Sequence, residues 1–168
     1  VLVVDGFKRT SLNLTEILDV DTLTFTPGPT MASARFWCAV IALDSRRVLV
    51  VGGINASYEA SSELLDLGTM AFTPGPTMRS ARMGCAAIKL DAHRCLVVGG
   101  MDARENVLKS TEVLDIATMT FTAGPELGTA REYCSSAPLD SRHVLVVGGH
   151  ETQRGNPALT EGSCLVFF

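Results

Sequence analysis

One sequence pattern recurs along the chain and constrains its fold more than any other feature. The string TMAFTPGPTMRSAR at 69–82 reappears as TLTFTPGPTMASAR at 22–35 and, with more changes, as TMTFTAGPELGTAR at 118–131. The aligned residues Phe25, Phe72 and Phe121 are 47 and 49 residues apart. A period of this length is typical of proteins built from repeated supersecondary units. The sequence therefore predicts a repeat architecture.

Two further segments keep the same register. An apolar segment that ends in Gly-Gly occurs as RVLVVGG at 47–53, RCLVVGG at 94–100 and HVLVVGG at 143–149, with VLVVDG at 1–6 as an earlier copy. An acidic segment occurs as TEILD at 15–19, SELLD at 62–66 and TEVLD at 111–115. We therefore treat residues 1–168 as a single repeat domain, with units at about 1–29, 30–76, 77–125 and 126–168.

Each unit predicts four short strands, which we call a to d. In the second unit they are ARFWCAVIAL at 34–43 (a), RVLVV at 47–51 (b), SELLDL at 62–67 (c) and MAFT at 70–73 (d). The β-branched run of strand b, closed by glycines, predicts a strand that is buried on both faces. Strand c could be a helical turn, but the glycine and prolines that follow it leave no room for a helix. We predict an all-β fold with no helix longer than about two turns.

The unit resembles the kelch repeat. An apolar strand ends in two glycines, and two acidic residues, an aromatic residue, a methionine and an arginine follow in order: Gly52, Gly53, Glu63, Asp66, Phe72, Met78 and Arg82. The resemblance covers about the whole chain. It implies a β-propeller of four-stranded antiparallel blades, as in the kelch and galactose-oxidase-like propellers.

Two features qualify the resemblance. The usual Tyr of the third strand is Leu18, Leu65 and Leu114, and the usual Trp of the fourth is Phe25, Phe72 and Phe121. These changes keep apolar volume but lose hydrogen-bonding groups. The b segment occurs four times, and so does the c segment when TEGSCLVFF at 160–168 is included, whereas d and a segments occur three times. We therefore expect a partial propeller of about three and a half repeats, from inside a longer chain.

Composition argues against several classes of partner. The formal net charge is −4 and no basic run is present, so we expect no nucleic acid partner. No apolar stretch approaches the roughly 20 residues that span a bilayer, so we expect no membrane partner. The 5 cysteines form no close pair, and this odd number favours reduced thiols and an intracellular setting.

No catalytic or metal-binding constellation is evident in the sequence. Cys38, Cys85 and Cys134 recur at one place in strand a and could surround a metal, but no Cys-x-x-Cys pair supports this, and Cys is a common small buried residue. The copper site of galactose oxidase uses Tyr and His ligands, whereas Tyr58 and Tyr133 lie at non-equivalent positions here. We therefore expect no enzyme activity in this segment, no cofactor and no metal.

Charged residues also recur in the repeats: Glu16, Glu63, Glu112 and Glu161, with Arg35, Arg82 and Arg131. They could be catalytic acids with a cationic clamp. Residues that recur in every unit more often have a structural role in each unit than a catalytic role in one site. We therefore interpret them as ion pairs or loop-tethering hydrogen bonds between repeats.

Specific function should lie where the copies differ. The b to c loops vary, as does the start of strand a, where Trp37 aligns with Gly84 and Tyr133, whereas the LDSRR-type turns barely change. Both variable connections leave the sheet on the same side, so we predict one ligand-binding face. Its residues are Trp37, Tyr58, Asp102, Arg104, His150 and Arg154.

The predicted function is a non-catalytic scaffold that binds a protein or peptide through this face. The alternative is a fragment of a propeller enzyme, of a sugar-processing or oxidoreductase type, whose catalytic residues lie outside the segment. Exposed edges of the terminal sheets could also support self-association.

Overall fold

The computed structural model describes residues 2–4, 7–8 and 10–151, with side chains from residue 12 onward. Every regular element in these residues is a β-strand, and all the pairings are antiparallel. This part of the chain confirms the all-β prediction and contains no helix that could cross a membrane.

The second and third repeats each form one complete four-stranded sheet. The first repeat contributes five short strands and the fourth repeat two: β1 Leu2–Val4, β2 Phe7–Lys8, β3 Thr10–Ser11, β4 Thr15–Asp19, β5 Thr24–Pro27, β14 Glu132–Pro138 and β15 Val144–His150. Strand order in both sheets is the sequence order, a-b-c-d. We call them the second sheet, with β6 (Ala39–Ala42), β7 (Arg47–Val51), β8 (Ser62–Asp66) and β9 (Ala71–Pro74), and the third sheet, with β10 (Ala86–Lys89), β11 (Arg94–Val98), β12 (Thr111–Asp115) and β13 (Thr120–Ala123).

The described residues at the two ends form smaller sheets. The first sheet has the order β1-β4-β5 and corresponds to b-c-d, and a short hairpin of β2 and β3 lies in its b to c loop. The fourth sheet pairs β14 with β15, which correspond to a and b.

Strand b has the predicted bounds, whereas strands a and d differ from the prediction. In the second sheet the apolar run 34–43 forms a strand only from Ala39 to Ala42. Phe36 pairs with Ile54 as an isolated bridge, and Trp37, which follows it, has a φ of 56°, outside the extended region. Strand d extends through Pro74, which pairs with Glu63 at the outer edge of the sheet. Proline is tolerated there because its missing N–H faces away from the ladder.

The main apolar core joins the second and third sheets. Leu49, Val50 and Val51 are at most 1% exposed, which confirms that strand b is buried on both faces. One cluster brings Ile41, Leu49 and Val51 of the second sheet together with core residues of the third sheet, among them Cys95, Val97 and Leu114. Strand β10 contacts both β6 and β14, so the a strands of successive repeats lie side by side.

A buried arginine links each complete sheet to the repeat before it. The backbone N–H of Arg82 donates to Glu59 O and its carbonyl accepts from Gly53 N–H, both in the second repeat. Its side chain enters the third sheet, where it bonds Gly99 O and pairs with Glu112 at 3.0 Å. Arg82 therefore contacts two repeats at once.

The position of the Arg82 backbone also explains why residue 52 is a glycine. Gly52 has a φ of 70°, and a Cβ added to it would lie 2.6 Å from Arg82 O. A side chain at this position would force the connecting segment away from strand b, so the first glycine of the Gly-Gly pair allows the close approach of successive repeats.

The same ion pair occurs one repeat earlier. Arg35 pairs with Glu63 at 3.2 Å, and the Glu63 carboxylate also accepts the backbone N–H groups of Ala32 and Ser33. Both pairs are almost completely buried. The predicted tethering role is confirmed for Arg35–Glu63 and Arg82–Glu112. Glu161, another of the recurring glutamates, lies outside the described residues.

The recurring aspartates stabilise turns on the other side of the sheets. In the a to b turn, the Asp44 carboxylate accepts the backbone N–H groups of Arg46 and Arg47, and the hydrogen bond from Arg46 is the main reason that the pKa of Asp44 is lowered. In the c to d turn, a hydrogen bond from Thr69 lowers the pKa of Asp66. Hydrogen bonds within the turns also lower the pKa values of Asp19, Asp91, Asp115 and Asp140.

Removing one partner of a buried tether should destabilise the chain far more than removing an exposed ion pair. We expect Arg82→Met to lower the free energy of unfolding by about 3 kcal/mol, because it leaves the buried Glu112 carboxylate without its cationic partner. Arg46→Met is the matched control: its pair with Asp66 is exposed, so the loss should be at most about 1 kcal/mol. Urea denaturation measures both values, and equal losses would contradict the tethering role.

The turn aspartates should make stability depend on acid pH. Their folded-state pKa values lie below the unfolded value of about 4, so their stabilising contribution is present above pH 4 and is lost as the pH falls through the lowered values. We expect a lower urea midpoint at pH 3 than at pH 7, and a smaller difference in the Asp66→Asn variant. Identical pH differences in the variant and the parent would show that Asp66 does not contribute.

Candidate functional site

A row of short cross-strand contacts lies at the strand ends on the side of the b to c loops. In the second repeat Phe36 pairs with Ile54, which also pairs with Tyr58. In the third repeat Met83 pairs with Met101, and in the fourth Glu132 pairs with His150. We call these three equivalent pairs the rungs. They fix the starts of strand a and of the b to c loops on one side of the sheets.

The fourth rung differs chemically from the other two. Its members are acid and base, whereas the equivalent rungs are apolar on both sides. Glu132 is 1% exposed, and its Oε1 lies 3.3 Å from Nδ1 of His150, whose side chain is 44% exposed. A buried carboxylate therefore lies directly beneath a solvent-accessible imidazole.

Aromatic side chains lie next to this rung. Trp37, Gly84 and Tyr133 are equivalent, all have φ between 52° and 59°, and Gly84 N–H donates to Trp37 O while Tyr133 N–H donates to Gly84 O. The ring centroids of Trp37 and Tyr133 are 5.3 Å apart, and those of Tyr133 and His150 are 5.6 Å apart. We call Trp37, Tyr133 and His150 the aromatic row.

Gly84 makes room for this row. A Cβ added to Gly84 would lie 3.0 Å from the Tyr133 ring, which is closer than an ordinary contact. A larger residue would push that ring away from Trp37. Because the middle of the three copies has glycine at this position, the rings of Trp37 and Tyr133 can contact each other.

Trp37 remains accessible in this arrangement. It is 41% exposed while it stacks edge-on against both Phe36 and Tyr133. The Trp37 ring therefore contacts Tyr133 of the fourth repeat and also reaches solvent. Holding a bulky side chain at positive φ costs of order 1 kcal/mol.

The remaining predicted residues lie near the first two rungs. Tyr58 Oη donates to Sδ of Met101 at 3.6 Å, which connects the second and third repeats. Asp102 follows Met101 and accepts the backbone N–H groups of Arg104 and Asn106. Burial alone would raise the pKa of Asp102, but the hydrogen bonds from Asn106 and Arg104 outweigh it and lower the pKa.

Asp102 therefore shapes its loop, and Arg104 is exposed at the tip. Of the six predicted residues, Trp37 and His150 join one aromatic row through Tyr133, while Tyr58, Asp102 and Arg104 lie along the neighbouring rungs and loop. Arg154 lies outside the described residues.

Sequence reasoning leaves two residues out of the predicted set. Glu132 and Tyr133 are central to the row, and their signal is the comparison between copies: Glu132 replaces Phe36 and Met83, and Tyr133 replaces Gly84. A charged residue at a position that is apolar in the other copies indicates that Glu132 has a different role from Phe36 and Met83.

The recurring cysteines pack against the second glycine of the Gly-Gly pair. A Cβ added to Gly53 would lie 3.0 Å from that of Cys38, and the corresponding distances are 3.1 Å for Gly100 to Cys85 and for Gly149 to Cys134. Within residues 2–4, 7–8 and 10–151, no three His, Cys, Asp or Glu side chains come together as a possible metal site. These small side chains thus fill the space beside strand b.

No protein-family model matches the chain, and no curated protein matches it.

Buried thiols should react slowly in the folded chain. Burial raises the pKa of Cys85 to about 12 and that of Cys95 to about 11, so almost no thiolate is present at pH 8. We expect iodoacetamide to label both residues only after denaturant is added, as read by peptide mass mapping. Rapid labelling of Cys85 in the native chain would show that the packing beside Gly100 is wrong.

Proposed function

We propose that this chain is a kelch-like β-propeller segment that acts as a non-catalytic scaffold and binds a protein or peptide through the face that carries the rungs. The observation that carries the proposal is the aromatic row, which is accessible on the side where the repeats differ. The binding residues are Trp37, Tyr58, Asp102, Arg104 and His150 from the predicted set, together with Tyr133, and Arg154 stays a prediction.

Three features support the propeller arrangement. Both complete sheets have four antiparallel strands in sequence order. The a strands of successive repeats contact each other, as inner strands do around a propeller axis. The connection between sheets passes from strand d of one repeat to strand a of the next and is tethered by the buried arginine.

The two sides of the sheets differ in a way that supports binding on one of them. On the side of the a to b turns, each aspartate is used by its own turn, and the copies are nearly identical. On the rung side, each copy presents different chemistry. A surface that recognises one partner needs this kind of variation, whereas a surface that only maintains the fold does not.

The composition of the face suits a polypeptide partner. Trp and Tyr provide rigid apolar area, and Arg104 and the Asp102 loop add charges of both signs. Glu132 beneath His150 adds a buried acidic group next to the rings. A uniform polyanion would not match this mixture, but a peptide with one apolar and one basic side chain would.

A peptide selection tests the proposal and does not require the natural partner. Peptides from a displayed random library would be selected on the parent chain and then measured against single variants. We expect Trp37→Gly and Arg104→Ala to weaken binding at least about 10-fold, because aromatic and arginine contacts dominate interface energetics. Glycine is chosen at Trp37 because Gly84 holds the same backbone conformation at the equivalent position.

Matched controls lie on the opposite side. Arg46→Ala and Arg142→Ala remove the same charge from exposed turns and should leave peptide affinity unchanged. If the selected peptides instead lose affinity only with these turn variants, or bind all variants equally, the assigned face is wrong.

A further inference from the structure

The fourth rung contains a histidine whose two ring nitrogens have different surroundings. Nδ1 of His150 lies 3.3 Å from Oε1 of Glu132, and the Glu132 side chain is 2% exposed. An ionised carboxylate only accepts hydrogen bonds, so Nδ1 of the neutral imidazole carries the proton and donates it to Glu132. Nε2, at the opposite edge of the ring, is then a hydrogen-bond acceptor. Because the His150 side chain is 44% exposed while Nδ1 is directed at a buried group, the Nε2 edge is the accessible one.

The accessibility of His150 follows from a difference between two b to c loops inside the chain. Tyr58 of the second repeat reaches the third rung and donates to Sδ of Met101, which is 3% exposed. Its equivalent in the third repeat is Val107, which pairs with Met101 as Tyr58 pairs with Ile54. Valine has no ring that could reach the next rung in the same way. The fourth rung is therefore less covered than the third by the loop of the preceding repeat.

Two aromatic rings continue this accessible surface. The centroid of the Tyr133 ring lies 5.6 Å from that of His150 and 5.3 Å from that of Trp37. The planes of the Trp37 and Tyr133 rings meet at 77°, and Trp37 is 41% exposed. Because the face of an aromatic ring carries partial negative charge, it attracts cations. The aromatic row therefore offers ring faces and one nitrogen acceptor side by side.

The Glu132 carboxylate adds a negative charge to this surface. The equivalent residues of the second and third repeats are Phe36 and Met83, so the charge distinguishes the fourth rung from the other two. A charge that is almost completely buried is screened by salt and solvent much less than an exposed one. It therefore favours a cation over an anion or a neutral group at the accessible edge of His150.

We propose that the aromatic row and Glu132 form a subsite for the guanidinium of an arginine side chain in the bound polypeptide. The guanidinium would stack on an accessible ring face and donate one N–H to Nε2 of His150, and the Glu132 carboxylate would balance its charge. Arginine fits better than lysine because a planar guanidinium stacks on aromatic rings and donates several N–H groups in one plane. The subsite rests on the proposed function and specifies which side chain the rung face selects.

The single tryptophan of the chain makes the subsite measurable. The indole N–H of Trp37 gives one nitrogen-15 resonance, which is followed while acetyl-Ala-Ala-Arg-Ala-Ala-amide is added. The assay is run at about pH 8, because Nε2 accepts a hydrogen bond only in the neutral imidazole. The matched probe has citrulline in place of arginine, which keeps the shape and removes the charge. We expect a saturable shift with half-saturation at about 1–10 mM arginine peptide, and at least about 10-fold weaker binding of the citrulline peptide.

An exchange of rungs provides the variant. Glu132→Met combined with His150→Met installs the pair Met83–Met101 of the third repeat, which this fold already accommodates. A cooperative urea transition establishes that the double variant is folded. It should bind the arginine peptide at least about 10-fold more weakly than the parent chain, because it lacks both the acceptor and the buried charge.

Two further variants complete the series. Tyr133→Gly places the residue of the third repeat at a position with the same backbone conformation and should also weaken binding of the arginine peptide, because it removes a ring face. Glu105→Gln is the matched control: it removes an exposed negative charge from the neighbouring b to c loop and should bind as the parent does.

Three results would overturn the subsite: equal affinity for the arginine and citrulline peptides, no saturable shift up to about 20 mM peptide, or unchanged affinity of the folded double variant. Tighter binding of the peptide with glutamate in place of arginine would also overturn it, because the row would then select an anion. In each case the proposed function still stands if peptides selected from the random library lose affinity in Trp37→Gly. If they do not, both proposals are wrong.

Discussion

The fold depends on a buried ion pair in each complete repeat, between an arginine that precedes strand a and a glutamate on strand c. Arg82 is anchored by its backbone to the second repeat and by its side chain to the third, and Arg35 pairs with Glu63 in the equivalent place. A charge buried in this way is stable only if all its partners are in place. The connection between sheets is therefore held in one position, and the register of one repeat determines that of the next.

The variable face follows from this constraint. The buried arginine holds the segment that connects two sheets. The residue two positions after this arginine is therefore held in place, and its backbone hydrogen-bonds to the equivalent residue of the neighbouring repeat. Trp37, Gly84 and Tyr133 occupy this place. Side chains there can change without disturbing the strands, and this allows two large rings to meet over a glycine on an otherwise repetitive framework.

Much of this architecture could be predicted from the sequence because the copies of the repeat can be aligned and compared with one another. The b strands, the order of the four strands and the tether roles of Arg35 and Arg82 all follow from segments that recur in register. The prediction for strand a is too long, since apolar composition at 34–43 does not reveal the positive φ of Trp37. The meeting of Tyr133 with His150 could not be read from spacing either, because it depends on side-chain directions at two strand ends.

We propose that positions shared by the repeats maintain the fold, while positions that differ on one face bind a partner. A saturation mutagenesis scan tests it most directly, with each variant scored twice, for protease resistance and for affinity to one selected peptide. We expect substitutions at Arg35, Glu63, Arg82 and Glu112 to reduce protease resistance. Substitutions at Trp37, Arg104 and His150 should reduce affinity alone. If substitutions that reduce affinity without reducing protease resistance cluster instead at the turns of Asp44, Asp91 and Asp140, the proposal is wrong.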